Sequence, residues 1–312
     1  MANTRFMTIK KGFLFACLVA LIGSLGNALQ GTFIKYYTTN LNIGLYDVIL
    51  IRCIASIIIL LPFSIKHIIV FVKSKYIAKN SLIILLLAIL YSADIVLYNT
   101  GLKTTPVNTG ALIMLLVPLW MCFFGKIILH ENDFNKITAL SLLACIFAVA
   151  YATIGDLKFG NAGVGVMLIF ANSIILPIGV ILQKKFSDFR PIAFALFTNS
   201  IVLGLVVFFL SGCHTNILFS TFNPFDKSFN LEFLICAVLI AMFDIMESGG
   251  VYLSCKLANV SSLQPIRFTR IIFAIIISGI VLGEIITEKQ AISTIIILIA
   301  NAISIVYSHK KL

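Results

Sequence analysis

The chain has 312 residues, 60% of them hydrophobic and 11% charged, with a mean hydropathy of +1.09. A soluble chain of this length needs a charged exterior around one core, so this composition excludes a soluble globular protein. The net charge of +11 does not point to nucleic acid, because the lysines and arginines stand singly or in pairs and build no basic face.

Ten apolar runs of about 20 residues, the length a helix needs to cross hydrocarbon, follow one another along the chain. They are Gly12–Phe33, Leu45–Ile65, Ser81–Gly101, Val107–Leu129, Ile137–Ile154, Ala162–Leu182, Pro191–Leu210, Phe233–Ser254, Ser261–Gly283 and Ala291–Ser308. The first is too long for a signal-peptide core, is followed by Lys35 with no cleavage site, and is expected to remain as a helix. It carries Ser24, Asn27 and Gln30 at three-residue spacing, a polar stripe on one face. The second holds Arg52, and the third holds Tyr91, Asp94 and Tyr98 at i, i+3, i+7. Pro118 and Trp120 lie in the fourth, and Asn172, Ser173 and Pro177 in the sixth. The longest connection, Ser211–Asn230, is polar and aromatic. The eighth run carries Asp244 and Glu247, and the ninth Gln264, Pro265, Arg267 and Arg270. The three intramembrane prolines permit bends, of the gating or the static kind.

Polar stripes facing lipid would strand polar groups in hydrocarbon, so these faces are expected to point inward. Converging stripes then line a polar cavity, with interhelical hydrogen bonding as the alternative for any one residue. Tyr91, Tyr98 and Trp120 could stack a planar or cationic ligand, and Trp120 could equally pack in the core.

Loop charge fixes an expected orientation. Fifteen lysines and arginines fall at the two termini and the even-numbered loops, and five (Lys35, Lys103, Lys158, Lys227 and Lys289) on the opposite side. That bias places both termini in the cytoplasm and the chain in the inner membrane.

The chain also repeats itself. Gly101–Glu131 and Ser254–Glu284 superpose at a shift of 153 residues, which sets Glu131 on Glu284, Lys103 on Lys256, Thr109 on Ser262 and Asp94 on Glu247. Chance likeness of two apolar strings is the competing account. Five helices separate the copies, an odd number, so the second copy runs inverted, an arrangement typical of secondary carriers. The expected architecture is an all-α polytopic membrane protein of ten transmembrane helices in two inverted five-helix repeats. Residues 12–154 form the first repeat and 161–308 the second, with 1–11 and 309–312 as cytoplasmic ends.

These residues carry a resemblance. Gly101–Glu131, with a small-residue turn, Pro118 and a closing glutamate, is similar to the signature of the drug/metabolite transporter superfamily. The chain resembles the EamA-type ten-helix carriers, whose halves end a fourth helix in an LGE-like sequence. Here that sequence is Leu282-Gly283-Glu284 in the second half and Leu129-His130-Glu131 in the first, which lacks the glycine. Arg52 matches an arginine of their second helix. Gln264-Pro265-Ile266-Arg267-Phe268 resembles a segment of a subgroup that includes S-adenosylmethionine uptake carriers of intracellular bacteria. Asp94, Asp244 and Glu247 stand outside the pattern. The resemblance implies a carrier of a small metabolite, imported, exported or exchanged.

Charges inside a span cost at least about 2.5 kcal/mol each and need a partner or water. Counting equal numbers of residues from the hairpin between the eighth and ninth helices pairs Glu247 with Arg267 and Asp244 with Arg270. Arg52 and Asp94 share a depth near the opposite end. Three ion pairs are thus expected, holding helices in register or switching when a substrate or proton displaces one partner. Glu131 and Glu284, at span ends, are expected to anchor. The expected substrate site comprises Asn27, Gln30, Tyr91, Asp94, Tyr98, Trp120, Asp244, Glu247, Gln264, Arg267 and Arg270. Arg267 suits a carboxylate, and Asp94 or Glu247 an ammonium, a sulfonium or a coupling proton.

The leading reading is a secondary transporter working by alternating access on S-adenosylmethionine or an amino-acid-like ligand. The partners are the bilayer, the substrate and a proton or counter-substrate; the sequence leaves the oligomeric state open. No nucleotide-binding G-x-x-x-x-G-K-[ST] occurs. Neither the four histidines nor the seven cysteines have ligand-like spacing, so no cofactor, metal site or enzyme chemistry is expected. An exporter of amino acids or drugs in the same superfamily is the alternative, with a channel or scaffold after it.

Overall fold

The computed structural model describes residues 2–40, 43–73, 77–130, 136–153, 161–187, 190–211, 231–257, 263–267 and 269–309. Its helices are α1 (Ala2–Thr39), α2 (Leu45–Val72), α3 (Ile77–Thr104), α4 (Val107–Ile113), α5 (Val117–Ile128), α6 (Lys136–Thr153), α7 (Asn161–Lys185), α8 (Ile192–Leu210), α9 (Leu231–Leu257), α10 (Gln264–Arg267), α11 (Thr269–Leu282) and α12 (Glu288–His309). The described residues of each expected span are chiefly helical. Among the described residues seven helical segments are long and apolar enough to cross a membrane, and Ala139–Ala152 and Thr269–Leu282 are shorter apolar helices. The protein is an all-helical polytopic membrane protein.

Its helices are apolar outside and polar inside, the order that hydrocarbon as solvent demands. On α2, Arg52, Ser56 and Ser64 are buried, while Ile58 on the far face is 66% exposed. Phe147 and Ile280 carry the same outward band on α6 and α11. The fourth span is not one straight helix. Pro118 has no N–H for the Met114 carbonyl, and its ring crowds that turn. The chain answers with a 3-10 turn at Met114–Leu116, which joins α4 to α5. Before α12, Thr287 and Gln290 cap each other, with Gln290 N–H donating to Thr287 Oγ1 and Thr287 N–H to Gln290 Oε1.

Packing interleaves the two halves. α1 packs chiefly on α9, α3 on α7, α2 on α8, and α6 on α12. Exchanging the halves turns the first of these pairs into the second and leaves the other two unchanged. The same exchange relates the contact of α1 with α11 to that of α7 with α5. Glycine permits the tightest crossings. A Cβ on Gly250 of α9 would lie 2.7 Å from the Gly23 Cα of α1, and one on Gly101 of α3 would lie 2.8 Å from the Gly165 carbonyl oxygen of α7.

The ends of the fourth and ninth spans are also alike. Among the described residues, His130 (φ 58°) and Gly283 (φ 67°) are the residues with positive φ, and the 153-residue shift superposes them. Gly283 ends α11 in the left-handed conformation that glycine adopts freely. The turn delivers Glu284 to the start of α4. There its carboxylate accepts from the Val107 N–H (3.0 Å) and the Asn108 N–H (3.2 Å), and pairs with Lys35 Nζ at 2.9 Å. Lys35 also donates to the Thr105 carbonyl at 2.7 Å. The negative charge meets the positive end of the helix dipole. Anchoring was the sequence expectation for Glu284; its counterpart Glu131 lies outside the described residues.

Candidate functional site

Asp94, Glu247, Arg267 and Arg270, four of the charges expected within spans, open onto one cavity of about 720 Å³. Three spans of each half form its walls. From the first half come Ala20, Gly23, Ser24 and Asn27 of α1, Tyr91 and Asp94 of α3, and Met114 to Met121 around the 3-10 turn. From the second come Leu176 and Val180 of α7, Glu247 to Tyr252 of α9, and Arg267 and Arg270. The half-exchange that organises the packing also carries one wall onto the other.

Each wall has a local reason to hold its polar groups there. The Gly23 and Gly26 crossing brings α1 close enough to α9 for the Asn27 amide to donate to the Glu247 carboxylate. The bend at Met114–Leu116 turns Met121 toward Arg267, whose Nη1 lies 3.0 Å from its sulfur. Arg267 Nη2 reaches Cys255 Sγ at 2.9 Å, and the Val251 carbonyl and Ser254 Oγ at 3.4 Å each. These are neutral partners. Arg267 Nε and Arg270 Nη2 are buried and have no hydrogen-bond partner among the described residues. Asp94 is 9% exposed.

Of the three expected intramembrane ion pairs none forms as expected, and among the described residues one forms with a different partner. Arg52 Nη1 lies 3.6 Å from Asp244 Oδ1, behind the cavity, and joins α2 to α9. Tyr91 donates its hydroxyl to both Asp244 oxygens (2.7 and 2.9 Å), and Gln30 donates to Oδ1 at 3.3 Å. So Asp244 pairs with Arg52 and not Arg270, Glu247 bonds Asn27 and not Arg267, and Asp94 forms no salt bridge with Arg52. The equal-depth count failed by about one helical turn. Arg267 lies opposite Val251, Ser254 and Cys255 rather than Glu247. Depth along a span also says nothing of rotation about it, and rotation gave Asp244 to α2. Among the described residues no salt bridge joins the four cavity charges to one another.

Of the expected site residues, Asn27, Tyr91, Asp94, Glu247, Arg267 and Arg270 line the cavity. Gln30 and Asp244 stand behind it in the Arg52 cluster. Tyr98 is buried in the apolar core, and Trp120 packs beside Phe123 and Phe124. For Trp120 the core alternative is thus the observed placement. Gln264 lies in α10, and its side chain is outside the described residues. Sequence reasoning missed Ser248, Tyr252, Met114 and Met121. Ser248 and Tyr252 follow Asp244 by four and eight positions, so the helical period of α9 was the signal for both; the methionines carried none.

Residues 14–154 match the EamA-like transporter family. The match spans the first half of the chain and supports the drug/metabolite transporter superfamily. No curated protein matches the chain. One crystal structure of a protein shares the fold at a TM-score of 0.61 and 10% identity, over 96% of this chain and 98% of that one.

Proposed function

We propose that the protein is a secondary transporter that moves a small zwitterionic metabolite across the inner membrane by alternating access, with both termini in the cytoplasm. The carrying observation is charge without closure. Two carboxylates (Asp94, Glu247) and two guanidiniums (Arg267, Arg270) line one cavity between the halves, and no salt bridge joins them. Buried charges left unsaturated by one another are costly unless something completes them. A ligand carrying one carboxylate and one ammonium or sulfonium completes both sets. The orphan nitrogens of Arg267 and Arg270 suit the carboxylate, and Asp94 with Glu247 suits the cation. Amino acids and S-adenosylmethionine both meet this description, and the resemblance of Gln264–Phe268 to S-adenosylmethionine carriers favours the latter. With Tyr91 and Tyr252 on the wall, an adenine has aromatic neighbours. The six lining spans, three from each half, support alternation by rocking one half against the other around a midplane site.

Purified protein in preloaded liposomes, supplied with labelled S-adenosylmethionine, basic and neutral amino acids and nucleosides, tests this reading. We expect saturable, protein-dependent flux of a zwitterion. Arg267→Lys should lower flux at least about tenfold, since the guanidinium's two-pronged grip is lost although the charge stays. No saturable flux of any zwitterion, with or without a proton gradient, rejects the substrate class. Unchanged flux on neutralising Asp94, Glu247 and Arg267 together rejects the site.

A further inference from the structure

Arg190 stands in the turn between α7 and α8, a place where an arginine ordinarily reaches water, yet it is 1% exposed. Among the described residues its guanidinium is held by neutral acceptors alone. Nη1 donates to Gln183 Oε1 at 2.7 Å, and Nη2 to Asn199 Oδ1 at 2.6 Å, Thr198 Oγ1 at 2.8 Å and the Ala195 carbonyl at 3.3 Å. Nε is buried with no partner among the described residues. No described carboxylate forms a salt bridge with it. Burial lowers its pKa to about 10, which still leaves it charged at neutral pH. A buried cation with neutral partners only is a costly arrangement unless an anion joins it.

A place for that anion adjoins it. Arg190 lines a separate pocket together with Lys184, Lys256, Ser187 and Gln183, and among the described residues no acidic one lines it. Tyr252 belongs to the walls of both this cavity and the larger one, and Asn199, which accepts from Arg190, donates to the Tyr252 hydroxyl at 3.4 Å. We infer that this second cavity is an oxyanion site, taking a phosphate or carboxylate group on the Arg190 guanidinium with Lys184 and Lys256 at its rim. A free solute and the phosphate of an anionic lipid offer the same chemistry, since the site lies at the ends of three spans. The inference concerns binding alone and does not depend on the transport reading.

The test uses the full-length protein in nanodiscs, with thermal stability as the readout. Inorganic phosphate is titrated at constant ionic strength into discs of neutral phosphatidylcholine, and a second set of discs contains phosphatidylglycerol. For a free-solute site, phosphate stabilises the wild type saturably in both discs. For a lipid site, phosphatidylglycerol itself stabilises it and abolishes the response to phosphate. Under either source Arg190→Gln weakens the anion effect at least about tenfold, the size expected for losing a charge-assisted hydrogen bond. Should Arg190→Gln not fold, Lys184→Ala/Lys256→Ala removes only the rim charges and is expected to weaken it at least about threefold. The inference is overturned when neither anion stabilises the wild type, when both variants respond as the wild type does, or when Arg267→Lys removes the response, which would put the anion in the large cavity.

Discussion

Arg52 shows how a single residue is held in hydrocarbon. Its guanidinium is 1% exposed and reaches Asp244 at 3.6 Å, while Tyr91 and Gln30 donate to the same carboxylate. Removing one partner strands the other charge, so Arg52→Ala should cost about 3–5 kcal/mol. The double change Arg52→Gln with Asp244→Asn should recover most of the loss, because two amides bond in place of two ions. Thermal melts of the three proteins in one detergent decide it; a double variant no more stable than Arg52→Ala would show that the ion pair is not the source of the cost. That charges in apolar runs lie inside the bundle was legible in the sequence, because lipid offers no alternative. Which charge meets which was not, as it depends on helix rotation and on a one-turn offset between α9 and α10 that no local pattern encodes. Arg190 was hidden for the opposite reason, since its loop position reads as solvent.

At the scale of elements, run length placed helix correctly along the chain; Ile192–Leu210 differs from the expected bounds by one residue, whereas α2 runs on to Val72, past the expected Ile65. Internal shape was less legible. Pro118 announced a bend without saying that a 3-10 turn would absorb it. The LGE ending was legible as a motif but not as a cap. Gly283 supplies the left-handed turn and Glu284 the acceptors that the first turn of α4 lacks within its own helix. Losing both the capping bonds and the Lys35 pair, Glu284→Ala should cost about 2 kcal/mol. Gly283→Ala should cost about 1 kcal/mol through the left-handed backbone, whereas His130→Gly should not destabilise, because His130 already holds that conformation. Equal melting temperatures for Glu284→Ala and the wild type would remove the cap from the account.

For the whole molecule, the five-helix offset between Gly101–Glu131 and Ser254–Glu284 was visible in the sequence, but the partner of each helix was not. The structure answers with interleaving, since the chief partners of α1, α2, α3 and α6 are α9, α8, α7 and α12, all in the other half. Neither half therefore holds a packed core of its own, and the large cavity has walls only when both are present. Individual apolar helices still insert without their partners, since insertion and packing are separate steps in lipid. Cutting the chain between Thr153 and Asn161 separates these two requirements. Co-expressed as two polypeptides, the halves should insert, find each other through the Gly23–Gly250 and Gly101–Gly165 crossings, and co-purify as one monodisperse species. Residues 1–153 expressed alone should reach the membrane but aggregate on extraction, with apolar faces unpartnered on α1, α2, α3 and α6 at once. Replacing Gly250 by a bulky residue such as Leu in the second piece should then weaken co-purification, because its side chain would have to enter space held by the Gly23 backbone. A first half that is monodisperse and melts cooperatively on its own would refute the interleaved account.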